Sequence, residues 1–339
     1  MKRVSRDFIR STALGTALAV GLAAGAQAEG FKMGYAVGFL TDPFQAVQAD
    51  LVIKTAKEAG LTPLPVANAN NDAGKQISDV RNLISQGAKG IIVVAVDSDA
   101  IAPALKFAEE KAVPVVFIDI GPAGGKAAMI VRANNLYMGD AACKWLGNAV
   151  GGKGTVLSLM GDQASINGRD RTTGFNDCMK KEFPNIKVNE QPTYWKAEKA
   201  SAAAQTVMTS TPDLAGIYMQ SDSVMLPGIL NLLKSSGKLK KVGEEGHMPL
   251  ISIDGTPFAL QKIREGWHDA AVSQPLDLYV KYGVAYLQDA VAGKTFAAGA
   301  TDHGSEIVMY NNNPMDLLPS PVITAKEAAD PMLWGNQVK

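Results

Sequence analysis

Short apolar runs alternate with amphipathic stretches along most of the chain. Gly90–Val96 and Val113–Asp119 are apolar runs of the kind expected for strands that are covered on both faces. The stretches at Pro43–Ala59 and Ala164–Phe183 predict helices. This alternation restarts after about residue 133 and predicts an α/β fold of two similar lobes, each a parallel sheet with helices on both faces. Further strands are predicted at Lys32–Phe39, Leu64–Ala67, Thr155–Met160, Lys187–Gln191, Gly216–Gln220, Leu250–Asp254 and Ala270–Gln274.

Polar residues follow most of the predicted strands. In parallel sheets, ligands bind beyond the carboxyl ends of the strands. A single aspartate in such a place is often only a helix cap, whereas a set on both lobes indicates a binding site between them. The set comprises Thr41-Asp42, the stretch 68–72, Asp97, Asp119, Gly161-Asp162, Tyr194-Trp195, Ser221-Asp222, Asp254 and Gln274.

The first 28 residues have the pattern of a secretory signal. Lys2 and Arg3 open a basic start, Ser11–Ala24 is apolar, and Ala26-Gln27-Ala28 fits the small-x-small cleavage rule. The alternative is a membrane anchor, but the apolar stretch is shorter than the roughly 20 residues that span a bilayer. We therefore expect export and cleavage after Ala28.

Charge and composition narrow the class of protein. The chain has 33 Lys+Arg and 33 Asp+Glu, and removal of the signal takes away four basic residues and one acidic one, which leaves a net charge of −3. A mildly acidic chain with no basic block is a poor nucleic-acid binder. Cys143 and Cys178 are predicted on two successive helices of one lobe. Export permits a disulfide between them, and two buried thiols are the alternative.

The sequence lacks the common catalytic motifs. The sequence has no Gly-x-Ser-x-Gly and no Cys-x-x-Cys, and His247, His268 and His303 lack metal-ligand spacing. The segment Gly147–Lys153 has the spacing of a phosphate loop, but Gly154 follows where Ser or Thr is needed, and a helix precedes it. We therefore expect no enzyme activity, no cofactor and no metal site.

The strand-end residues suit a ligand rich in hydroxyl groups. Hydroxyls both donate and accept hydrogen bonds, and the apolar faces of a sugar pack on aromatic rings. Phe44 and Trp195 offer such rings, although core packing is the alternative for each, and Asp254 also fits a helix cap before Pro257. The candidate polar groups are Asp42, Gln45, Asp119, Arg169, Ser221, Asp254 and Gln274.

Several motifs together resemble one known family. The chain resembles the periplasmic sugar-binding proteins of ABC importers, in the ribose-binding-protein-like (type I) group, over roughly residues 31–310. The motifs that carry the resemblance are Thr41-Asp42-Pro43-Phe44, Phe117-Ile118-Asp119, Arg169–Phe175, Gln220-Ser221-Asp222 and Ser252–Pro257.

That resemblance implies a mechanism and a location. A ligand enters the cleft between the lobes in the periplasm, favours their closure, and is delivered to a membrane permease; we expect a monomer. The chain is expected to cross between the lobes near 133–135, near 274–275 and near 305–308. The first lobe would then comprise 29–133 and 275–305, and the second 134–274 and 306–339. The resemblance implies ligand contacts at Asp42, Phe44, Gln45, Asp119, Arg169, Trp195, Ser221, Asp254 and Gln274.

The departures from the ribose-type pattern limit the ligand. Asp42 and Ser221 stand where Asn is common, Gln45 where a second aromatic is common, and Ile120 where an Arg is usual. The sequence therefore argues against ribose and favours another monosaccharide or a polyol. A signalling furanose or a nucleoside is the alternative within this fold. A sugar-responsive repressor is disfavoured by the signal and by the lack of an N-terminal helix-turn-helix.

Overall fold

The structure is a computed structural model that describes residues 30–338. The predicted signal and its cleavage site lie outside the described residues. Within that range, no helix combines the length and the apolar character needed to cross a bilayer.

Within residues 30–338, the first lobe comprises nine strands and four helices. Its first part comprises β1 (Lys32–Val37), α1 (Pro43–Glu58), β2 (Thr62–Pro63), β3 (Ala67–Asn68), α2 (Ala73–Ser85), β4 (Gly90–Val93), α3 (Ala102–Glu110), β5 (Val115–Ile118) and β6 (Met129–Ala133). After the second lobe the chain returns as α9 (Leu276–Val291), β12 (Gly299–Ala300), β13 (Glu306–Tyr310) and β14 (Asn313–Leu318).

The second lobe repeats the alternation. It comprises α4 (Asn135–Ala149), β7 (Gly154–Met160), α5 (Ile166–Glu182), β8 (Ile186–Pro192), α6 (Ala197–Ser210), β9 (Leu214–Met219), α7 (Asp222–Ser235), β10 (Leu250–Asp254), α8 (Pro257–Glu265) and β11 (Ala270–Ser273). The end of the chain adds β15 (Val322–Ile323) and α10 (Trp334–Gln337).

Each lobe is built on its own mixed, mostly parallel sheet. The strand order is β12-β13-β14-β6-β5-β4-β1-β2 in the first sheet, where β3 also pairs with β1, and β15-β11-β10-β9-β7-β8 in the second. The central strands are apolar and fully buried because helices cover both faces, as at Ile91, Ile92 and Phe117. The carboxyl ends of these strands carry the residues that face the other lobe.

Local signals fix where the helices next to the cleft begin. Asp42 caps α1 by accepting the Phe44 N–H, and Pro43 occupies the first turn. Thr256 caps α8 in the same way, with Pro257 after it. Asp42 therefore lies directly before α1, and Asp254, the last residue of β10, is held by the short loop that leads into α8.

The last passage between the lobes is later than the sequence predicts. The strands β13 and β14 form an antiparallel hairpin, and β14 pairs with β6 in the first sheet. The expectation of a crossing near 305–308 is wrong, because the chain leaves the first sheet only after Leu318 and joins the second at Val322. Asn311 and Asn312 both have positive φ, at 47° and 64°, which is the geometry of a tight hairpin turn.

A disulfide joins Cys143 of α4 to Cys178 of α5. The two helices also approach closely at Gly139, where a Cβ would lie 2.3 Å from the Arg171 carbonyl oxygen. The alternative of two thiols is therefore wrong. The bridge and the close approach fix the position of α5 on the second lobe. Two side chains of α5, Asn167 and Arg171, line the cleft between the lobes.

Candidate ligand-binding site

A pocket lies between the lobes at the carboxyl ends of strands from both sheets. It holds about 310 Å³ that protein atoms do not fill, part of it open to solvent. Eight of the nine predicted residues line it, namely Asp42, Phe44, Gln45, Asp119, Trp195, Ser221, Asp254 and Gln274, and the other four lining residues are Phe39, Ile120, Asn167 and Arg171.

The structure does not place the ninth predicted residue, Arg169, in the pocket. Its Nη1 lies 3.0 Å from Asp99 Oδ2, so the side chain forms an ion pair across the rim of the cleft. The same nitrogen donates to the Gln163 carbonyl oxygen at 3.2 Å. Arg169 is also about one-third exposed, whereas the pocket arginine is buried. Arg169 thus lies at the rim of the cleft, and the guanidinium that lines the pocket is that of Arg171.

Arg171 is the pocket guanidinium that the sequence interpretation missed. Its Nε donates to Asn135 Oδ1 at 2.7 Å and its Nη1 to the Gln220 carbonyl oxygen at 2.6 Å. Its Nη2 is buried and has no hydrogen-bond partner among the described residues. Two nitrogens of the guanidinium are thus paired with protein oxygens, and the third is a donor that a ligand in the pocket could use.

The helical periodicity of this segment could have identified Arg171 as the pocket arginine. Arg171 is four residues after Asn167 and four before Phe175, and all three are buried on one face of α5. Arg169 is two residues from Arg171, about 200° around the helix. The buried apolar residue at 175 therefore marks 167 and 171 as the pocket face.

Asp254 is the most heavily hydrogen-bonded carboxylate of the pocket. Ser221 Oγ donates to its Oδ2 at 2.7 Å and Gln274 Nε2 to its Oδ1 at 2.8 Å. The Arg171 Nη1 lies 3.9 Å from Oδ1. Burial raises the pKa of Asp254, and the nearby Arg171 opposes that rise. Its φ of 122° lies in a region that L residues rarely adopt, so the surrounding contacts must hold this conformation.

A second buried carboxylate, Asp222, holds the turn that follows Asp254. Its Oδ2 accepts the Gly255 N–H at 2.9 Å and the Ser252 hydroxyl at 3.0 Å. Its Oδ1 accepts the Thr256 hydroxyl at 2.6 Å and the Thr256 N–H at 3.2 Å. With four donors on one carboxylate, Asp222 fixes the loop between β10 and α8 and thereby orients Asp254.

Asp119 provides the first lobe's counterpart of Asp254. It directly follows β5 and has a positive φ of 62°, and its Oδ1 accepts from Asn167 Nδ2 of the second lobe at 2.8 Å. Burial raises its pKa to about 7, against the opposing charge of Arg171. The side-chain Oδ1 of Asn167 in turn accepts from Arg132 Nη2 at 2.7 Å. A chain of hydrogen bonds therefore joins the lobes at this corner of the pocket.

Aromatic side chains form the apolar walls. Phe44 is buried at the start of α1, and Gln45 beside it accepts the Phe39 N–H at 3.1 Å through Oε1. The Trp195 ring lies so close to Gly161 that a Cβ there would be 1.9 Å from the ring. Its Nε1 is buried without a hydrogen-bond partner among the described residues. The pocket thus combines ring faces with unpaired donors and with carboxylate acceptors.

Three comparisons with known proteins agree with this architecture. A family model described as a periplasmic binding protein domain matches residues 33–295. The chain belongs to the periplasmic binding protein family. The ribose import binding protein of Bacillus subtilis is 28% identical to it over 259 residues, which are 76% of this chain and 81% of that protein.

Two further matches lie in the same group. The xylitol-binding protein of Mycolicibacterium smegmatis is 29% identical over 201 residues, which are 59% of this chain and 55% of that protein. The crystal structure of a Caulobacter myo-inositol binding protein superposes with a TM-score of 0.75 at 25% identity and covers 88% of this chain and 95% of that one. The predicted type I fold is confirmed, as is the prediction of a periplasmic binding protein rather than an enzyme.

Proposed function

We propose that this periplasmic binding protein captures a neutral monosaccharide or polyol in the cleft and delivers it to an ABC importer. The observation that carries the proposal is the set of polar groups in the pocket, where three buried carboxyls face one guanidinium. Carboxylates accept hydrogen bonds from hydroxyl groups, and an excess of carboxyls disfavours an anionic ligand.

The buried donors of the pocket that lack a protein acceptor suit the ability of a hydroxyl group to accept hydrogen bonds. Arg171 Nη2 and Trp195 Nε1 are buried donors without an acceptor among the described residues, and a hydroxyl oxygen accepts such bonds. Unpaired buried donors are costly, so a ligand that pairs them gains affinity over one that does not. The named relatives are a ribose import binding protein, a xylitol-binding protein and a myo-inositol binding protein, and these names support a polyhydroxylated ligand.

The pocket residues that depart from the ribose-type pattern favour a ligand other than ribose. Asp42, Gln45, Ile120 and Ser221 all line the pocket. Ile120 supplies an apolar surface where an arginine would donate, and Gln45 supplies an amide where a ring would stack. A polyol or a different monosaccharide therefore suits this pocket better than ribose held through both missing groups.

After binding, the ligand would be delivered to the membrane. The closed lobes would dock as a monomer on the permease of the importer, and opening of the hinge would release the ligand there. We propose further that export removes residues 1–28, so that the mature chain begins at Glu29.

A thermal-shift screen of the mature protein tests the proposal. Pentoses, hexoses, linear polyols and cyclitols are screened beside nucleosides and sugar phosphates, because a ligand at 100 times its Kd stabilises the folded state by about 2.7 kcal/mol. We expect a neutral sugar or polyol to raise the melting temperature of the wild type. The variant Arg171→Gln is the control, because a shift that persists in it arises outside the pocket. A shift with nucleosides alone would reject the proposal.

A further inference from the structure

The end of the chain forms a strap on the second lobe, comprising residues 319–338. Its β15 pairs antiparallel with β11, with Val322 opposite Val272. Arg264 of α8 donates to the Ala328 carbonyl oxygen at 2.7 Å and to Asn336 Oδ1 at 2.9 Å. The strap is therefore fastened to the second lobe at β15, at Ala328 and within α10.

Near the end of the strap, the side chain of Trp334 contacts both lobes. The ring is 2% exposed and packs edge-on against Phe44 of the first lobe, with ring centroids 5.4 Å apart. Its Nε1 donates to the backbone carbonyl oxygen of Asp254 in the second lobe at 3.0 Å. Phe44 and Asp254 both line the ligand pocket, so Trp334 lies directly behind two of its walls.

The contact with Asp254 occurs at a place where the backbone needs support. Asp254 has the unfavourable φ of 122°, and its carbonyl oxygen also accepts the Gln274 N–H at 3.0 Å. The next strap residue, Gly335, is packed so tightly that a Cβ would lie 2.4 Å from the Gly255 carbonyl oxygen. The strap therefore supports the loop that aims the Asp254 carboxylate into the pocket.

We propose that Trp334 is a positioning residue for ligand binding, which holds the Phe44 ring and the Asp254 loop in register across the cleft. Its two contacts, one on each lobe, form together only when Phe44 and Asp254 are in their pocket positions. Trp334 thus favours the closed arrangement and the correct direction of the Asp254 carboxylate. The effect on affinity rests on the proposed function of the pocket, whereas the effect on the two loops does not.

The variant Trp334→Phe separates this role from simple core filling. It keeps an aromatic ring against Phe44 and removes the indole donor to Asp254. The matched control is Trp267→Phe on the outer surface of the same lobe, where the ring packs beside Lys241. Hydrogen exchange is measured on the ligand-free proteins. We expect faster exchange in Trp334→Phe, but not in Trp267→Phe, for the peptides that contain Phe44, Asp254 and Gln274.

Binding is measured in parallel with xylitol, myo-inositol and D-ribose as probes. Loss of the one hydrogen bond that supports the Asp254 loop predicts about a fivefold weaker affinity in Trp334→Phe, and Trp267→Phe should match the wild type. A probe that binds both variants with wild-type affinity would overturn the proposal. If no probe binds the wild type, the proposed function fails for these ligands, and the exchange experiment still decides: equal exchange in the two variants would overturn the role of Trp334.

Discussion

The two arginines of α5 differ in what their side chains touch. Arg171 is buried in the pocket and keeps one unpaired nitrogen, whereas Arg169 pairs with Asp99 at the exposed rim. Exposed ion pairs contribute about 0–1 kcal/mol, while removal of a buried charged donor from its partners costs far more. The two side chains therefore form a matched pair for testing where the ligand binds.

We expect Arg171→Gln to weaken binding by about 100-fold or more, because it removes charge-assisted hydrogen bonds to the ligand and the cation beside Asp254. Arg169→Gln should weaken binding by no more than about threefold, since only the rim pair is lost. Isothermal titration with the strongest ligand from the screen measures both. The reverse order of effects would mean that the ligand binds at the rim rather than in the pocket.

Asp42 is a buried carboxyl whose ionisation opposes folding. Burial and then the neighbouring charge of Asp254 raise its pKa from the ordinary 3.8 to about 7, although Ser223 and Phe44 donate hydrogen bonds to it. The folded protein therefore holds this proton at a pH at which the unfolded chain has lost it. For such a group, stability falls as the pH rises from the unfolded to the folded pKa, and is constant above it.

The variant Asp42→Asn should remove that pH dependence. Asn keeps an Oδ1 acceptor for the Phe44 N–H and the Ser223 hydroxyl, and it cannot ionise. We expect it to raise the free energy of unfolding, relative to wild type, by about 2 kcal/mol more at pH 8 than at pH 5. Urea unfolding of the ligand-free proteins measures this. Asp72→Asn at the exposed cap of α2 is the control, and an equal pH response in the two variants would contradict the expectation.

At the scale of elements, the sequence predicts most helices within two residues but fails where the backbone pattern is irregular. The predicted helix at 43–59 is α1 at 43–58, with the proline start visible in the sequence. By contrast, the structure has two short strands near the single strand predicted at 64–67: β2 lies just before it, and β3 begins at its last residue. Pro63 and Pro65 lack N–H donors, and they interrupt a pairing that apolar character alone suggests.

The hairpin β13–β14 was missed for a different reason. Its first strand contains a short apolar run, Ile307–Tyr310, yet all of its residues are half-exposed or exposed, so the run does not mark a strand that is covered on both faces. Its turn is formed by two asparagines with positive φ rather than by glycine. The signal lay in Asn311-Asn312, because asparagine tolerates that conformation better than other non-glycine residues.

The bridge between α4 and α5 gives a prediction at this scale. Cys143 and Cys178 close a loop with a sequence separation of 35 residues. Restriction of the unfolded chain by such a loop corresponds to roughly 4 kcal/mol. We expect the double variant Cys143→Ala, Cys178→Ala to lose about 3–4 kcal/mol of unfolding free energy. Ligand affinity should stay near wild type, because the close approach at Gly139 still packs α5 on α4.

Urea unfolding of the double variant and of the wild type in reducing buffer measures this loss. The two should show the same decrease, since both lack the covalent loop. Unchanged stability in the double variant would mean that the disulfide does not stabilise the fold. A large loss of affinity without loss of stability would instead assign the bridge to the orientation of Arg171.

For the whole molecule, the doubled alternation of strand and helix predicted two lobes, and eight of the nine predicted residues line the pocket between them. What the sequence did not predict is how the lobes meet. The hinge couples to the pocket through Tyr279, whose hydroxyl accepts the Ala133 N–H and donates to Gln274 Oε1. Ala133 is 146 residues from Tyr279 along the chain, so no local pattern links them. Packing of the two lobes decides such contacts.

The closed cleft is also held outside the pocket, by the loop after β4. Ser98 is buried, its N–H donates to the Ala164 carbonyl oxygen at 3.1 Å, and its Oγ accepts the Ile166 N–H at 3.0 Å. Ser98 belongs to the first lobe, while Ala164 and Ile166 lie at the start of α5 in the second. Its side chain therefore satisfies a helix N-terminal donor of the opposite lobe, and does so without lining the pocket.

We expect Ser98→Ala to destabilise the closed state and leave the pocket itself unchanged. In the proposed hinge mechanism the ligand meets the open form, where water satisfies the Ile166 N–H, so association should be nearly unaffected. Dissociation should be about five times faster, because closure loses one buried hydrogen bond between the lobes. Stopped-flow measurements separate the two rates, with Ser78→Ala on the exposed face of α2 as the control. A slower association with unchanged dissociation would mean that this contact forms before the ligand binds, and closure would then not depend on it.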